Sequence, residues 1–499
     1  MNDVFLQMKG IQKHFGGVNA LAGVDLTIRR GEIHCLAGEN GSGKSTLIKV
    51  IAGVHPASAG EIYIEGVQIP SLSPIEAIQY GIQVIYQDFA VFPNLTVAEN
   101  IAMNHALMTG AKRMDWRKAH RLAKEAMALI GAEMDPDALV EQLSVAHKQI
   151  VAICRAIIND AKLLILDEPT TALTSKEIHM LYAIMRRLKD RGIAVVMVNH
   201  KLDEIYDIAD RLTVLRNGEN ISTGLIGEYD RKRFIKDLTG RELADTYYLP
   251  TSCEKEIFRA EEISRKGAFQ HVSFSLCKGD VLGITGLLGS GCGQIGDALF
   301  GVAPITEGRL YLNGAPIAVT SIQDAMRHRI AYVPEDRLTQ GLFLDRSIMD
   351  NTVAASLEQY FQHMRLDAQK MYEATSQWIQ RIGCNAPSPK PSIRTLSGGN
   401  AQKMVIAKWL NTNPALLVLN GPTVGVDVGS KADIHRILHG LSEQGVGVIL
   451  ISDDLPELLH NCNNIIVMRQ GRMAATVRAD ETDATTLAHM LTDKDAVIA

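Results

Sequence analysis

Two α/β domains in tandem are what this chain predicts, and three observations predict them. GVDLTIRRGEIHCLAGENGSG, residues 23–43, and HVSFSLCKGDVLGITGLLGSG, residues 271–291, align without gaps at an offset of 248 residues. Short apolar runs such as LLIL (163–166), AVVMV (194–198) and VGVILI (446–451) have the length of buried parallel strands. Helical stretches fall between them, the alternation that a parallel sheet with crossover helices requires.

The duplication organises the rest of the chain in order. VIYQD (84–88) maps onto YVPED (332–336) at the same offset, whereas LSVAHKQ (143–149) maps onto LSGGNAQ (396–402), and LLILDEPT (163–170) onto LLVLNGPT (416–423), at 253. Five residues are therefore inserted in the second copy between these blocks. In the first copy DWRKAHRLAKEAMALIG (115–131) reads as a helix: Asp115 caps it, Gly131 ends it, and Trp116, Ala119, Leu122, Ala123, Ala126 and Ile130 recur at helical spacing. Its counterpart is DAQKMYEATSQWIQRIG (367–383). TYYLPTSCEKE (246–256) is polar and broken by Pro250, which places the domains at 1–245 and 257–499 with a linker at 246–256.

Bulk properties exclude several classes. A length of 499 residues exceeds what one compact core organises. Hydrophobic residues make up 46% and mean hydropathy is +0.03, but no apolar run approaches the roughly 18–20 residues that span a bilayer. The start MNDVFLQMKG has neither the basic residues nor the apolar core of a secretory signal, so a cytoplasmic location is expected. A net charge of −5 without a basic block argues against nucleic acid as a partner. Seven cysteines form no metal-ligand spacing, and reduced thiols are expected.

Chemistry enters with GENGSGKS (38–45), which fits GxxxxGK[ST] between the strand-like EIHCLA and the helix-like TLIKVIAG. Binding a triphosphate requires glycines that let backbone amides fold around phosphate oxygens, a lysine against the β and γ groups, and a hydroxyl for magnesium. Gly38, Gly41, Gly43, Lys44 and Ser45 supply these parts, and Glu39, Asn40, Ser42 and Thr46 complete the stretch that wraps the phosphates. Asp167 ends an apolar strand where it can hold the magnesium shell, and adjacent Glu168 can polarise the attacking water. In the second copy Cys292 and Gly293 stand where Lys44 and Ser45 stand, and Asn420 and Gly421 replace the two acids.

With GENGSGKS, Gln87, LSVAHKQ, LLILDEPT and VNH (198–200) in this order, the chain resembles the ATP-binding cassette superfamily. The resemblance implies two tandem P-loop cassettes, each with a RecA-like α/β core and a helical subdomain. It implies ATP and Mg2+ as cofactors, with Ser45, Gln87 and Asp167 at the metal. Among catalytic residues it places Lys44, Glu168, Gln87 as the lid glutamine and His200 as the switch histidine on the γ-phosphate, with Phe15 stacking on adenine. YVPEDR (332–337), LSGGN (396–400), GVDVG (425–429) and ISDDLPE (451–457) are similar, more narrowly, to the tandem ATPases of bacterial sugar importers. That family implies integral membrane permease subunits and a periplasmic solute-binding protein as partners, and a peripheral position on the cytoplasmic face of the inner membrane. Tandem cassettes also occur in soluble translation and regulatory ATPases, which stay as the alternative.

The superfamily resemblance further implies that each ATP lies between one P-loop and the signature of the other copy. Lys44, Ser45, Gln87, Asp167, Glu168 and His200 then share a site with Ser397, Gly398, Gly399 and Asp427, and all of these are intact. The opposite site joins Cys292, Gly293, Glu335, Asn420, Gly421 and Asp453 to LSVAH and Thr174, and all of these are altered. The losses follow the site rather than the copy. One hydrolytic site per chain is expected, with Gly399→Asp abolishing ATPase activity and Ala146→Asp tolerated.

Overall fold

The computed structural model describes residues 3–16, 18–86, 88–108, 114–170, 173–199, 201–242, 255–362 and 365–492. The chain divides into two compact units, Met1–Leu243 and Ala244–Ala499. Of the linker expected at 246–256, residues 246–254 lie outside the described residues.

In the first unit a six-stranded sheet runs in the order Glu219–Leu225, Arg211–Arg216, Ile33–Ala37, Ala194–Val198, Leu163–Asp167, Ile82–Ile85. Its pairings are parallel except at the Glu219–Leu225 edge. IHCLA and AVVMV are buried along their whole length, as strands covered on both faces must be. A second, antiparallel sheet, in the order Val18–Arg29, Val4–Phe15, Ala59–Ile64, Val67–Ile69, packs its apolar face into the same core, where Phe5, Leu6, Met8 and Ile11 meet Leu36, Leu47 and Ile165. The helices Val97–Met108, Trp116–Ile130 and Val145–Ile157 contact one another and form the helical part of the unit.

The expected helix at 115–131 is present with both predicted ends. Asp115 accepts a hydrogen bond from the Lys118 amide at 3.1 Å, and Gly131 closes the helix at φ 67°, a left-handed turn that glycine adopts without steric cost. Asp367 caps Ala368–Arg381 in the second unit in the same way.

The second unit repeats the plan. A six-stranded sheet orders Ile330–Val333, Leu416–Asn420, Gly447–Ile451, Val281–Gly286, Asn464–Arg469, Arg472–Arg478, and a four-stranded antiparallel sheet orders Phe269–Cys277, Glu256–Arg265, Glu307–Leu312, Ala315–Ile317. Cys35, Cys154, Cys292, Cys384 and Cys462 are free and buried, as expected of reduced thiols. Cys277 departs from that expectation, since it is disulfide-bonded. Among the described residues no helix is long and apolar enough to cross a membrane.

Candidate functional site

The parallel order of the first sheet sets the site. Ile33–Ala37, Ala194–Val198 and Leu163–Asp167 are neighbours, so the loops leaving their carboxyl ends, which begin at Gly38, Asn199 and Glu168, lie side by side. Glycine is required at two places in the first of these loops. A Cβ on Gly38 would lie 2.3 Å from Ser42 Oγ and 2.5 Å from the Leu215 carbonyl, and one on Gly43, at φ 104°, would lie 2.7 Å from the Ala20 carbonyl. Both positions therefore exclude any side chain. Gly43 leads directly into the helix Lys44–Ile51, whose first amides point back into the loop.

Lys44 is buried, and its Nζ donates to the carbonyls of Gly38 at 2.6 Å and Glu39 at 2.8 Å and lies 3.5 Å from Ser42 Oγ. The ammonium is thus folded into the loop that it serves. Glu39, Asn40 and Gly41 follow on the same turn, with Gly41 at φ 83°, and Ser45 and Thr46 stand in the first turn of the helix.

Asp167 is the last residue of its strand and is half-buried. Burial, and then the charge of Glu168, push its carboxyl above the ordinary range, while Lys44 and Lys49 pull it down. Two adjacent, partly desolvated acids of this kind favour a hard cation, and oxygen donors suit Mg2+. Mg2+ at such a site takes one carboxylate, one hydroxyl and the phosphates of a nucleotide. Ser45 and Asp167 fit that donor set. Glu168 stands at φ 46°, in the left-handed region that non-glycine residues seldom enter, and its amide donates to the Val198 carbonyl at 3.2 Å.

Gln87 and His200 lie outside the described residues. Phe15 ends the strand Val4–Phe15, 44% exposed, edge-on to His55 at 5.2 Å and with Lys13 Nζ 5.2 Å from its ring centroid. Its ring is available for stacking rather than committed to the core.

In the second unit Ser397 caps the helix Gly398–Leu410, accepting from the Asn400 amide at 3.4 Å and from Asn400 Nδ2 at 2.9 Å. Asp427 caps Val428–Glu443, accepting from the Ser430 amide at 2.8 Å and from Ser430 Oγ at 3.1 Å. Gly399 lies against this cap, since a Cβ there would come within 1.9 Å of Ser430 Oγ and 3.2 Å of Asp427 Oδ2. The second unit therefore brings Ser397, Gly398, Gly399 and Asp427 together through two helix starts.

The second unit's own P-loop keeps its glycine turn, with Gly291 at φ 93°, but Cys292 is buried against Ser290 Oγ at 3.2 Å and burial pushes its thiol up to about 11. Asn420 Nδ2 sits 3.4 Å from the Tyr332 hydroxyl, which donates to Asp297 at 3.0 Å. A thiol has replaced the ammonium, and an amide and a glycine the paired acids.

Sequence reading missed one carboxylate in each unit. Glu204 accepts from Thr170 Oγ1 at 2.5 Å and Asn199 Nδ2 at 2.6 Å, and Glu457, at the matching position, accepts from Thr423 Oγ1 at 2.7 Å and Ser452 Oγ at 2.6 Å. Each ties the loop after the acid-bearing strand to the loop after its neighbour. Burial acts to raise the Glu457 pKa, but the His435 and Ser452 hydrogen bonds and the Lys431 charge outweigh it and hold the group at about 2. The available signal was KLDE (201–204) against DLPE (454–457), where the glutamate persists at the 253 offset.

The units also differ beside the site. A cleft of about 260 Å³ in the first unit is lined by Ala52, Val84, Arg155 and Ala156 among others. The repeat places Phe300, Tyr332, Lys408 and Trp409 at these positions in the second unit, where Phe300 packs on Tyr332 at 5.5 Å and on Trp409 at 5.1 Å.

A glycine-lined loop running from a parallel strand into a helix, with an acid at the end of the next strand but one, defines a P-loop nucleotide-binding protein. The ABC transporter family profile matches residues 21–171 and 269–424, and the chain belongs to that family. It is 38% identical over 484 residues to the "Ribose import ATP-binding protein RbsA" of Geobacillus kaustophilus, covering 97% of this chain and 98% of that one. The "Xylose import ATP-binding protein XylG" of the same organism is 38% identical over 491 residues, covering 96% and 97%. A "Putative ribose/galactose/methyl galactoside import ATP-binding protein 1" of Agrobacterium fabrum is 38% identical over 483 residues, covering 96% and 95%.

Proposed function

We propose that the chain is the ATP-binding and ATP-hydrolysing subunit that powers a membrane permease importing a sugar or sugar-like solute. The observation that carries this is full-length similarity to import ATP-binding proteins for ribose and xylose, together with the intact Lys44, Asp167 and Glu168 of the first unit. Non-transport tandem ATPases are disfavoured by the same similarity.

In this reading the amides of Gly38–Thr46 cradle the phosphates of ATP, and Lys44 turns from its carbonyl partners to the β and γ groups. Phe15 stacks on adenine. Ser45, Asp167 and Gln87 hold Mg2+, which when bound neutralises developing charge on the phosphates. Glu168 orients and polarises the attacking water, and His200 contacts the γ-phosphate. Ser397, Gly398, Gly399 and Asp427 complete the cage around that phosphate when the signature engages it, so binding is coupled to movement.

The second copy lacks the lysine and both acids, and no turnover is assigned to it. Permease subunits are the partners, with a periplasmic solute-binding protein in the same complex. The chain sits peripherally on the cytoplasmic face of the inner membrane, its domains at 1–245 and 257–499.

Uptake of labelled pentoses, hexoses, polyols and nucleosides by a deletion strain, complemented with wild type or Glu168→Gln, tests the reading. Loss of uptake of one sugar, restored only by wild type, is expected. Wild-type uptake of every one of these compounds in the deletion strain would overturn it.

A further inference from the structure

We propose that Arg337 is a positioning residue for the phosphate-binding end of the LSGGN helix, fixing that helix start to the loop that carries Asp427. This rests on the reading above, in which Ser397–Gly399 and Asp427 serve the ATP held by the first P-loop.

Arg337 opens a single π-helical turn, Arg337–Gly341, capped by Asp336, which accepts from the amides of Leu338 at 2.9 Å and Thr339 at 3.2 Å. From this fixed root the guanidinium forks onto two consecutive carbonyls, Val424 at 2.8 Å and Gly425 at 3.3 Å. Those residues lead directly into Asp427. The Nη2 that meets Gly425 also borders the signature: a Cβ on Gly398 would lie 2.8 Å from Arg337 Nη2 and 3.3 Å from the Gly425 carbonyl. Arginine fits because its planar fork reaches both carbonyls at once, and a lysine presents a single point charge.

The repeat supplies an independent argument. Position 337 matches Phe89, in the copy whose signature is altered to LSVAH, and there the connection runs the other way. Arg155, on the signature helix of the first unit, donates to the carbonyls of Ala90 at 2.8 Å and Phe89 at 3.1 Å. Lys408 keeps that second tie in the second unit, donating to the Gly341 carbonyl at 2.6 Å. The extra fork at the helix start is found in the copy with the intact LSGGN. A segment that moves with residues 335–341 would therefore move Gly398 and the Asp427 loop with it.

The test is ATPase kcat and KM of the full chain assembled with its permease in proteoliposomes, for Arg337→Ala, Arg337→Lys and Gly399→Asp. ADP binding by the same preparations reports the first P-loop. Arg337→Ala should lower kcat about 10-fold with KM and ADP affinity within about 2-fold of wild type, and Arg337→Lys should fall between. Wild-type kcat in both Arg337 variants, with Gly399→Asp inactive, would overturn the inference and leave the function reading standing. Wild-type kcat in Gly399→Asp would instead overturn the function reading. Should Arg337→Ala lose ADP binding through misfolding, Arg337→Lys decides, and a fall in its ADP affinity and melting temperature in step with kcat would reduce Arg337 to a folding role.

Discussion

Glu168 and Gly421 hold the same left-handed backbone position in the two units, at φ 46° and φ 56°, each donating its amide to the end of the neighbouring strand, Val198 at 3.2 Å and Ile451 at 2.8 Å. In the first unit a glutamate occupies this strained position, and in the second unit glycine has removed both strain and carboxylate. Asn420→Asp with Gly421→Glu should lower stability by about 1 kcal/mol, because an L side chain is forced left-handed and its Cβ comes 3.1 Å from Val424 Cγ2. It should also yield no second active site, since Cys292 still replaces the lysine. Urea unfolding and ATPase assays of the double variant in a Glu168→Gln background check both halves.

Gly399→Asp should abolish ATPase activity while ADP binding by the first P-loop persists, and because Gly399 is buried and its Cβ would meet Ser430 Oγ, the melting temperature is read beside the activity. The paired expectation for Ala146→Asp does not hold in its original form. Ala146 is only 3% exposed, so an aspartate there is buried and destabilises the helix Val145–Ile157 whatever the site does. Val145, 38% exposed on the same turn, is the proper control, and Val145→Asp should keep ATPase within about 2-fold of wild type. Equal loss in both would remove the partition of one working and one degenerate site.

Lys408 gives a pH signature. It is 8% exposed, and burial pulls its ammonium from 10.5 down to about 8. Because the folded value lies below the unfolded one, the unfolded chain holds more protons between them. The contribution of Lys408 to stability should thus rise with pH from about 8 to about 10.5, by on the order of 3 kcal/mol, and stay flat below, while buried thiols such as Cys292 act in the opposite direction above pH 9. In urea unfolding of the intact chain the stability difference between wild type and Lys408→Met should change by that amount across the window, and a difference independent of pH would refute the assignment.

Glu204→Ala leaves the Thr170 hydroxyl and the Asn199 amide without their acceptor and should cost about 2–3 kcal/mol. Glu204→Gln keeps one acceptor oxygen and should cost less. Thermal unfolding of the two variants gives the order directly.

Local signals explain what was legible in the sequence. The helix at 115–131 was readable to its caps because Asp115 and Gly131 act within one turn, and the P-loop because its glycines and lysine are contiguous. Glu204 was not legible, since Thr170 lies 34 residues away and only the fold brings the two together. Arg337 was read only as the end of YVPEDR, and its contacts escaped for the same reason, its carbonyl partners lying 87 and 88 residues along the chain. Asp427 was legible as a site residue but not as a helix cap, a task that Thr174 performs at the matching position, where it accepts from the Glu177 amide at 3.4 Å.

Steady-state phosphate release by Glu168→Gln in proteoliposomes bears most directly on whether one site per chain does the work. With Glu168 as the only general base, activity should fall at least about 100-fold, to near background, with sugar uptake lost in the same vesicles. Retention of about half the wild-type rate would mean that the second copy hydrolyses ATP without its lysine and acids, and would contradict a single catalytic site.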